Sequence, residues 1–366
     1  PLPANLLLVL GLFITGGPLL TDTFLPALPE IAAHFGATAA ATQTTMAATF
    51  VGLAVGQVLG GSSSDLLGRR PVLLAGLTLG LIASIAAAVA PTLGWLVVLR
   101  FLQGLGISAG IVVTRAIVAD LVTGRAAARS LAIVQAIATI APVVAPVAGV
   151  LVIAAFGWRG ILVTMAVLVG LGLVAAALKA PETLPREERN PERRRAQRVA
   201  IGTGLRSGRY PLLVLAHAMT FAVLMAYLTA APFLFQDVLG TSRGVYGAAM
   251  ALVMMVHGAG GFAVARFLRR HTVHDAARRG YVILIGASVL ALTAALAPVS
   301  AWLIVPPAAA ALFAVGVLFG PVSALAIDSV RAAAGLGAAA VGAFQYAFAA
   351  LVPPLTGLRG PDDPVP

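Results

Sequence analysis

The chain has 366 residues, 60% of them hydrophobic and 10% charged, with mean hydropathy +1.00, far from the composition of a soluble domain. That balance describes an integral membrane protein, and the absence of cysteine excludes disulfides, thiolate metal sites and thiol catalysis. The formal charge of +11 sits in loops beside apolar runs, which fits membrane topology rather than phosphate binding, so no nucleic-acid partner is expected.

The runs are long, unbroken and rich in Ala, Gly, Leu and Val, so helices are expected rather than the alternating strands of a barrel. The first residue is Pro1 and apolar sequence begins at Leu6, with no convincing basic n-region or cleavage site. An uncleaved first span, with residues missing upstream, is the expectation. It covers about 5–28, carries Asp22 near its outer end and breaks up at Pro26 and Pro29. A second covers about 44–61, with Gly52, Gly56 and Gly60 on one face, a spacing that lets helices approach closely. The charged turn Gly61-Ser-Ser-Ser-Asp65-Leu-Leu-Gly68-Arg69-Arg70-Pro71 follows. The third to sixth spans are expected at about 72–90, 95–117, 130–155 and 160–180.

Residues 181–209 form the one long polar segment, with Glu182, Arg186 and the run Arg193–Arg194–Arg195, and read as a solvated linker between two halves, 1–180 and 210–366. The second half is expected to hold five spans, at about 210–235, 244–267, 280–297, 302–327 and 336–358. Six helices before the linker and five after it suggest a fragment lacking a twelfth. With a cytoplasmic N-terminus, 20 of the 24 basic residues fall on the inner side, three on the outer side and Arg100 within the fourth helix. That asymmetry assigns the linker and the charged turn to the cytoplasm.

Shifting the sequence by 200 residues places Gly61 on Gly261, Asp65 on Ala265, Gly68 on Leu268, and Arg69 and Arg70 on Arg269 and Arg270. The second half thus carries a worn copy of the turn between its own second and third helices, as expected for two parallel repeats related by an axis along the membrane normal.

Four stretches carry a family resemblance. The turn from Gly61 to Pro71 matches G-x-x-x-D-x-x-G-R-R-P, and Asp22-Thr-Phe-Leu-Pro26-Ala-Leu-Pro29 matches D-x-x-x-P-A-L-P. Arg100-Phe-Leu-Gln103-Gly104 matches R-x-x-Q-G, with Arg115 and Asp120 following, and Pro142, Pro146 and Gly149 lie in a proline-rich stretch of the fifth helix. Together these resemble the major facilitator superfamily, and within it the drug:proton antiporters of the bicyclomycin/chloramphenicol-resistance type. Ala145 and Val150 stand where the antiporter stretch usually has glycine. The resemblance implies an all-α membrane fold of two six-helix bundles around a central cavity, a bacterial inner-membrane location and a monomer. It also implies that the turn, with Asp65, Arg69 and Asp120, latches the inner face, often against the start of the eleventh helix; lipid anchoring and topology-setting by Arg69 and Arg70 is the other reading.

A charge inside a span costs on the order of 3 kcal/mol, which makes Asp22 and Arg100 functional candidates. Counted from expected helix ends, each lies about 10 Å deep, so the two are level. A buried aspartate takes up or releases a proton as its hydration and its distance from an arginine change, which would make Asp22 the coupling site. A fixed Asp22–Arg100 pair, or a solvated Asp22, is the alternative. Gln103 and Gln135 are handles either for a substrate or for other helices, as are His217 and His257 for proton relay or helix bonding; Phe221, Tyr227 and Phe233 would line a wall or pack. The only lysine, Lys179, is not in a phosphate-binding loop, so no ATPase is expected within the chain, and no metal ligand spacing and no cofactor site is found. The expected function is export of small amphipathic drugs in exchange for protons by alternating access. Proton-coupled uptake of a small nutrient, and a non-transporting sensor or inactive fragment, are the alternatives; substrate identity is not encoded legibly.

Overall fold

The computed structural model describes residues 2–122, 124–185, 199, 202–296, 301–330 and 334–355. Its long helices are α1 (Ala4–Asp22), α2 (Leu28–Phe35), α3 (Ala39–Leu67), α4 (Arg69–Ala88), α5 (Leu93–Leu121), α6 (Gly124–Lys179), α7 (Arg209–Phe233), α8 (Arg243–Phe267), α9 (Val273–Leu296), α10 (Val305–Asp328) and α11 (Ala334–Leu355). Among the described residues, ten helical stretches are long and apolar enough to cross a membrane. Leu8, Ile82, Leu171 and Phe262 face outward while Thr49, Arg100, Gln103 and Ser108 are fully buried. This inversion of the soluble pattern suits lipid, which solvates apolar side chains and no polar ones.

The prolines near Asp22 do not end the first span. Leu25–Ala27 makes a 3-10 turn, Pro26 and Pro29 take early helical positions where a missing N–H leaves no bond unmade, and α2 carries the helix on to Phe35. Asp22 therefore lies thirteen residues from the end of the stretch rather than six or seven. The charged turn is also more helical than expected. α3 continues through Asp65 to Leu67, and Gly68 alone, at φ 104° and ψ 160°, separates it from α4. Only glycine tolerates that backbone, so the corner is a one-residue device. Likewise α5 runs past 117 to Leu121, which puts Arg115 six residues inside its end.

The expected fifth and sixth helices are the two arms of α6, which breaks at Gly157 with φ 66° and ψ −174°. Ile137 on the first arm and Gly172 on the second both sit beside residues 11–13 of α1, so the chain reverses at Gly157. Glycines bring α3 and α5 into backbone contact: a Cβ on Gly52 would strike the Phe101 carbonyl, and one on Gly104 the Thr49 carbonyl. α8 and α10 meet in the same way, Gly260 against Phe313 and Gly316 against His257. In each half the second and fourth helices are joined by small residues, where lipid offers no hydrophobic drive and close packing supplies the attraction.

Helices α1–α6 pack on one another, as do α7–α11, and the two groups meet along α3 with α11 and α6 with α8. The Gly68 corner and Lys179 lie at one face, the basic face, and Phe35, Gly157 and Arg243 at the opposite one. Residues 186–198, the centre of the expected linker, Arg331 and Arg359 lie outside the described residues, as do the side chains of Arg125, Arg129, Gln135 and Pro142.

Candidate functional site

Asp22 is 5% exposed and accepts one hydrogen bond, from the Thr21 hydroxyl at 2.8 Å. Arg100 does not meet it. Leu20 and Phe24 face α5, where the Arg100 guanidinium donates to the Leu20 carbonyl at 3.0 Å and lies 4.1 Å above the Phe24 ring. At about 100° per residue, Asp22 is turned some 200° from both of them. The two groups are level yet back to back, and among the described residues no carboxylate comes within ion-pair distance of Arg100. The guanidinium is compensated instead by Gln103 Oε1 at 3.0 Å and softly by the Met46 and Met165 sulfurs. Gln103 in turn donates to Ser84 at 2.8 Å, so both members of the R-x-x-Q-G stretch are spent inside the first group of helices.

Asp22 faces the second group. Tyr246 on α8 and Tyr346 on α11 lie within its electrostatic reach, and the buried hydroxyls of Tyr246 and Tyr227 have no hydrogen-bond partner among the described residues. The fifth-helix stretch supports this place from behind: a Cβ on Gly149 would lie 2.6 Å from the Thr23 carbonyl and 3.1 Å from Pro26, and Pro146 is buried one turn away. That glycine lets α6 press on the turn that carries Asp22.

Further toward the basic face, polar groups missed in the sequence gather at the same seam. Gln345 accepts from His217 Nε2 at 2.9 Å, and Tyr346 stacks on Phe50 of α3 and meets Phe221 edge-on. Arg115 belongs here rather than with the charged corner: it lies within electrostatic reach of Tyr346 and His217. His257 is bonded to the Leu312 carbonyl at 3.1 Å and joins α8 to α10.

At the basic face, Arg69 is 7% exposed and is held by Asp65, by Ser64 at 2.9 Å and by Asp120, whose carboxylate receives its Nε–H at 2.9 Å. Glu182, just past α6, accepts the Arg69 and Arg70 backbone N–H groups at 2.9 and 3.3 Å, and Thr183 donates to Asp120. A carboxylate at a helix N-terminus satisfies donors the helix cannot. Arg70 donates to the Ala177 carbonyl. The expected trio of Asp65, Arg69 and Asp120 is thus assembled, with the start of the linker tied onto it.

The opposite face holds a second cluster that sequence reasoning missed. Glu30 accepts the Trp158 N–H at 3.1 Å and pairs with Arg243 at 3.1 Å, joining α2, the α6 corner and the start of α8. His34 and Arg159 close beside them at 3.3 Å, around a hollow of about 510 Å³ lined by Glu30, His34 and Trp158. Among the described residues no group of three or more His, Cys, Asp or Glu has metal-binding arrangement.

The Major Facilitator Superfamily model matches residues 8–353. The chain is 34% identical over 261 residues to the uncharacterized MFS-type transporter YdgK of Bacillus subtilis (strain 168), covering 71% of this chain and 65% of that protein. It is 31% identical over 231 residues to the multidrug resistance protein MdtL of Escherichia coli O17:K52:H18, covering 63% of this chain and 58% of that one. It therefore spans less than two thirds of the length of these relatives. Among solved structures, the D-xylose-proton symporter superposes with TM-score 0.72 at 17% identity, over 96% of this chain and 89% of that chain. A bacterial homolog of the lysosomal transporter Spinster gives TM-score 0.74 at 18% identity, over 96% and 81%. These likenesses, the helical architecture and the corner from Gly61 to Pro71 agree: the chain belongs to the major facilitator superfamily.

Proposed function

We propose that the chain acts as a secondary transporter in a bacterial inner membrane, exporting small amphipathic drug-like molecules in exchange for protons, as a monomer built of two bundles (1–180 and 210–366) that rock about their seam. The observation that carries this reading is Asp22: a carboxylate 5% exposed, turned toward the second bundle, with no cation within ion-pair distance among the described residues. A carboxylate in such a place needs compensation. A proton supplies it, and so does a donor or cationic group of a cargo, and the two exclude each other. Exclusive occupancy of one site is the minimal requirement for exchange. Tyr227 and Tyr246, whose hydroxyls have no partner among the described residues, offer the adjoining hydrogen bonds.

In this reading the basic face is cytoplasmic, following the excess of Arg there. Release of the Arg69 cluster opens the cavity inward, and release of the Glu30 cluster opens it outward. The similarity to MdtL, named for multidrug resistance, supports a drug-like cargo.

The test uses inverted membrane vesicles and the fluorescent amphipathic cation ethidium. An imposed acid interior should drive ethidium uptake, and Asp22→Asn, present at normal level in the membrane, should lower it by about tenfold or more. Normal coupling in Asp22→Asn would overturn the role of Asp22. Flux in the opposite direction would indicate symport, and no flux a protein that does not transport.

A further inference from the structure

We propose that Arg115 forms an anion subsite at the seam between the bundles, and that this subsite takes the carboxylate of an aryl carboxylate cargo. The proposal rests on the reading of the seam as the cargo site and names a chemical class for it.

Placement comes first. The Tyr346 hydroxyl and the Ile111 side chain converge on one point of α1, lying 3.3 and 3.1 Å from where a Cβ on Gly17 would be. Arg115 is four residues past Ile111 on α5, so it projects from the same side of that helix one turn nearer the basic face. It lies within electrostatic reach of Tyr346 and of His217, both from the second group of helices. Arg115 thus faces across the seam, unlike Arg100, which is enclosed within its own bundle.

The charge there is uncompensated. Among the described residues Arg115 makes no ion pair and no hydrogen bond, and its nearest titratable neighbours on the facing helices are a phenol and an imidazole. The surrounding polar groups are also underused. Among the described residues His217, 2% exposed, has no partner for Nδ1, and Gln57, 1% exposed, has none for Oε1. Gln57 sits against Gly342, one turn from Tyr346 on α11. A guanidinium in the membrane that has no acidic partner marks a ligand pathway. Its fork of donors fits a carboxylate two bonds at a time.

The walls define the remainder of the ligand. Phe50 stacks on Tyr346 at 6.3 Å between ring centroids, and Phe221 meets that ring at 5.7 Å and nearly perpendicular. A flat aromatic body extends this packing with its own ring. Asp22 lies about 13 Å from Arg115 along the helix axes, counting five residues from Gly17 one way and four from Ile111 the other. The two charges bracket the aromatic walls, so a cargo held at Arg115 by its carboxylate directs the other end of its aromatic body, and any donor carried there, toward Asp22.

The experiment measures equilibrium binding of radiolabelled benzoate to the full chain in lipid nanodiscs, with unlabelled benzoate and benzamide as competitors. Saturable binding is expected, with benzoate competing about tenfold or more better than benzamide because only it forms the charged pair. Arg115→Gln should erase that preference, and Arg115→Lys should retain part of it. Absence of saturable benzoate binding, equal competition by benzamide, or an unchanged preference in Arg115→Gln would overturn the subsite. The comparison on the unaltered chain decides the matter even if Arg115→Gln does not fold. Because binding is read without a gradient, its failure leaves ethidium export standing, and failure of export leaves benzoate binding standing.

Discussion

Glu30 and Arg243 stand 213 positions apart in sequence and 3.1 Å apart in space, the first at the end of the opening helical stretch and the second at the start of α8. The same carboxylate accepts the Trp158 N–H at the α6 corner, so one side chain ties both bundles at the face opposite the basic one. The pair is partly exposed, Glu30 at 27% and Arg243 at 46% by side chain, which limits its strength to about 1 kcal/mol, or roughly fivefold in an equilibrium. Glu30→Gln keeps an acceptor for Trp158 and removes the ion pair. Because the chain has no cysteine, Val150→Cys, set in the seam against Gly247, gives a single reporter. Its labelling by a water-soluble maleimide should rise about fivefold in Glu30→Gln; unchanged labelling would show that the pair does not hold this face shut.

At the basic face the relation is graded between two carboxylates. Asp120 is 21% exposed and also receives Thr183, whereas Asp65 is 39% exposed. Neutralising a carboxylate partner of the buried Arg69 guanidinium weakens a charge-assisted bond by about 2 kcal/mol, more where water is scarcer. Asp120→Asn should therefore open this face more than Asp65→Asn. Ala338→Cys lies on α11 one turn before Gly342, which meets Gln57, and should label faster in both variants, with Asp120→Asn the larger. The reverse order would move the centre of the latch to Asp65.

Glu182 ties the linker to that cluster through the first two N–H groups of α4. Losing such a cap costs about 1 kcal/mol. Glu182→Ala should lower the thermal midpoint of the purified chain, while Glu182→Gln, which keeps one of the two acceptor oxygens, should recover part of the loss. Equal midpoints in all three would mean that Glu182 does not hold α4.

What was legible in the sequence followed from local chemistry. Apolar runs announce helices because a bilayer admits no other lone backbone, and Gly61–Pro71 announces its corner because Gly68 requires φ 104°. Glycines at 52, 56 and 60 announced a close contact without saying with what; the partner is α5. The prolines after Asp22 misled because their effect depends on where a helical turn restarts, and here they open α2 instead of closing α1. Helix rotation was illegible altogether. Asp22 and Arg100 are level, although the count behind that expectation ended the first helix too early, and packing turns one to the seam and the other inward. For the same reason Arg115 reads in the sequence as part of the charged gate at the inner end of the fourth helix, and Tyr346, Gln345 and Gln57 give no signal: ordinary polar residues become a cluster only when α3, α5, α7 and α11 meet.

Gly149 supplies the sharpest test of how α6 serves Asp22. A methyl carbon there would lie 2.6 Å from the Thr23 carbonyl, the residue next to Asp22, and 3.1 Å from Pro26. Backbone cannot retreat cheaply in a packed interior, and overpacking costs about 1–3 kcal/mol. Gly149→Val should push the 3-10 turn away from α6 and rotate Asp22 out of register with Tyr246. The chain still has its other helix contacts, so it should reach the membrane at near-normal level. Proton-driven ethidium uptake should then fall about tenfold or more, while benzoate binding at Arg115, about three turns away along the helix axes, should change little. Full uptake in Gly149→Val would show that the turn moves without consequence for Asp22. Loss of both readouts together would place the defect in the seam as a whole rather than at the carboxylate.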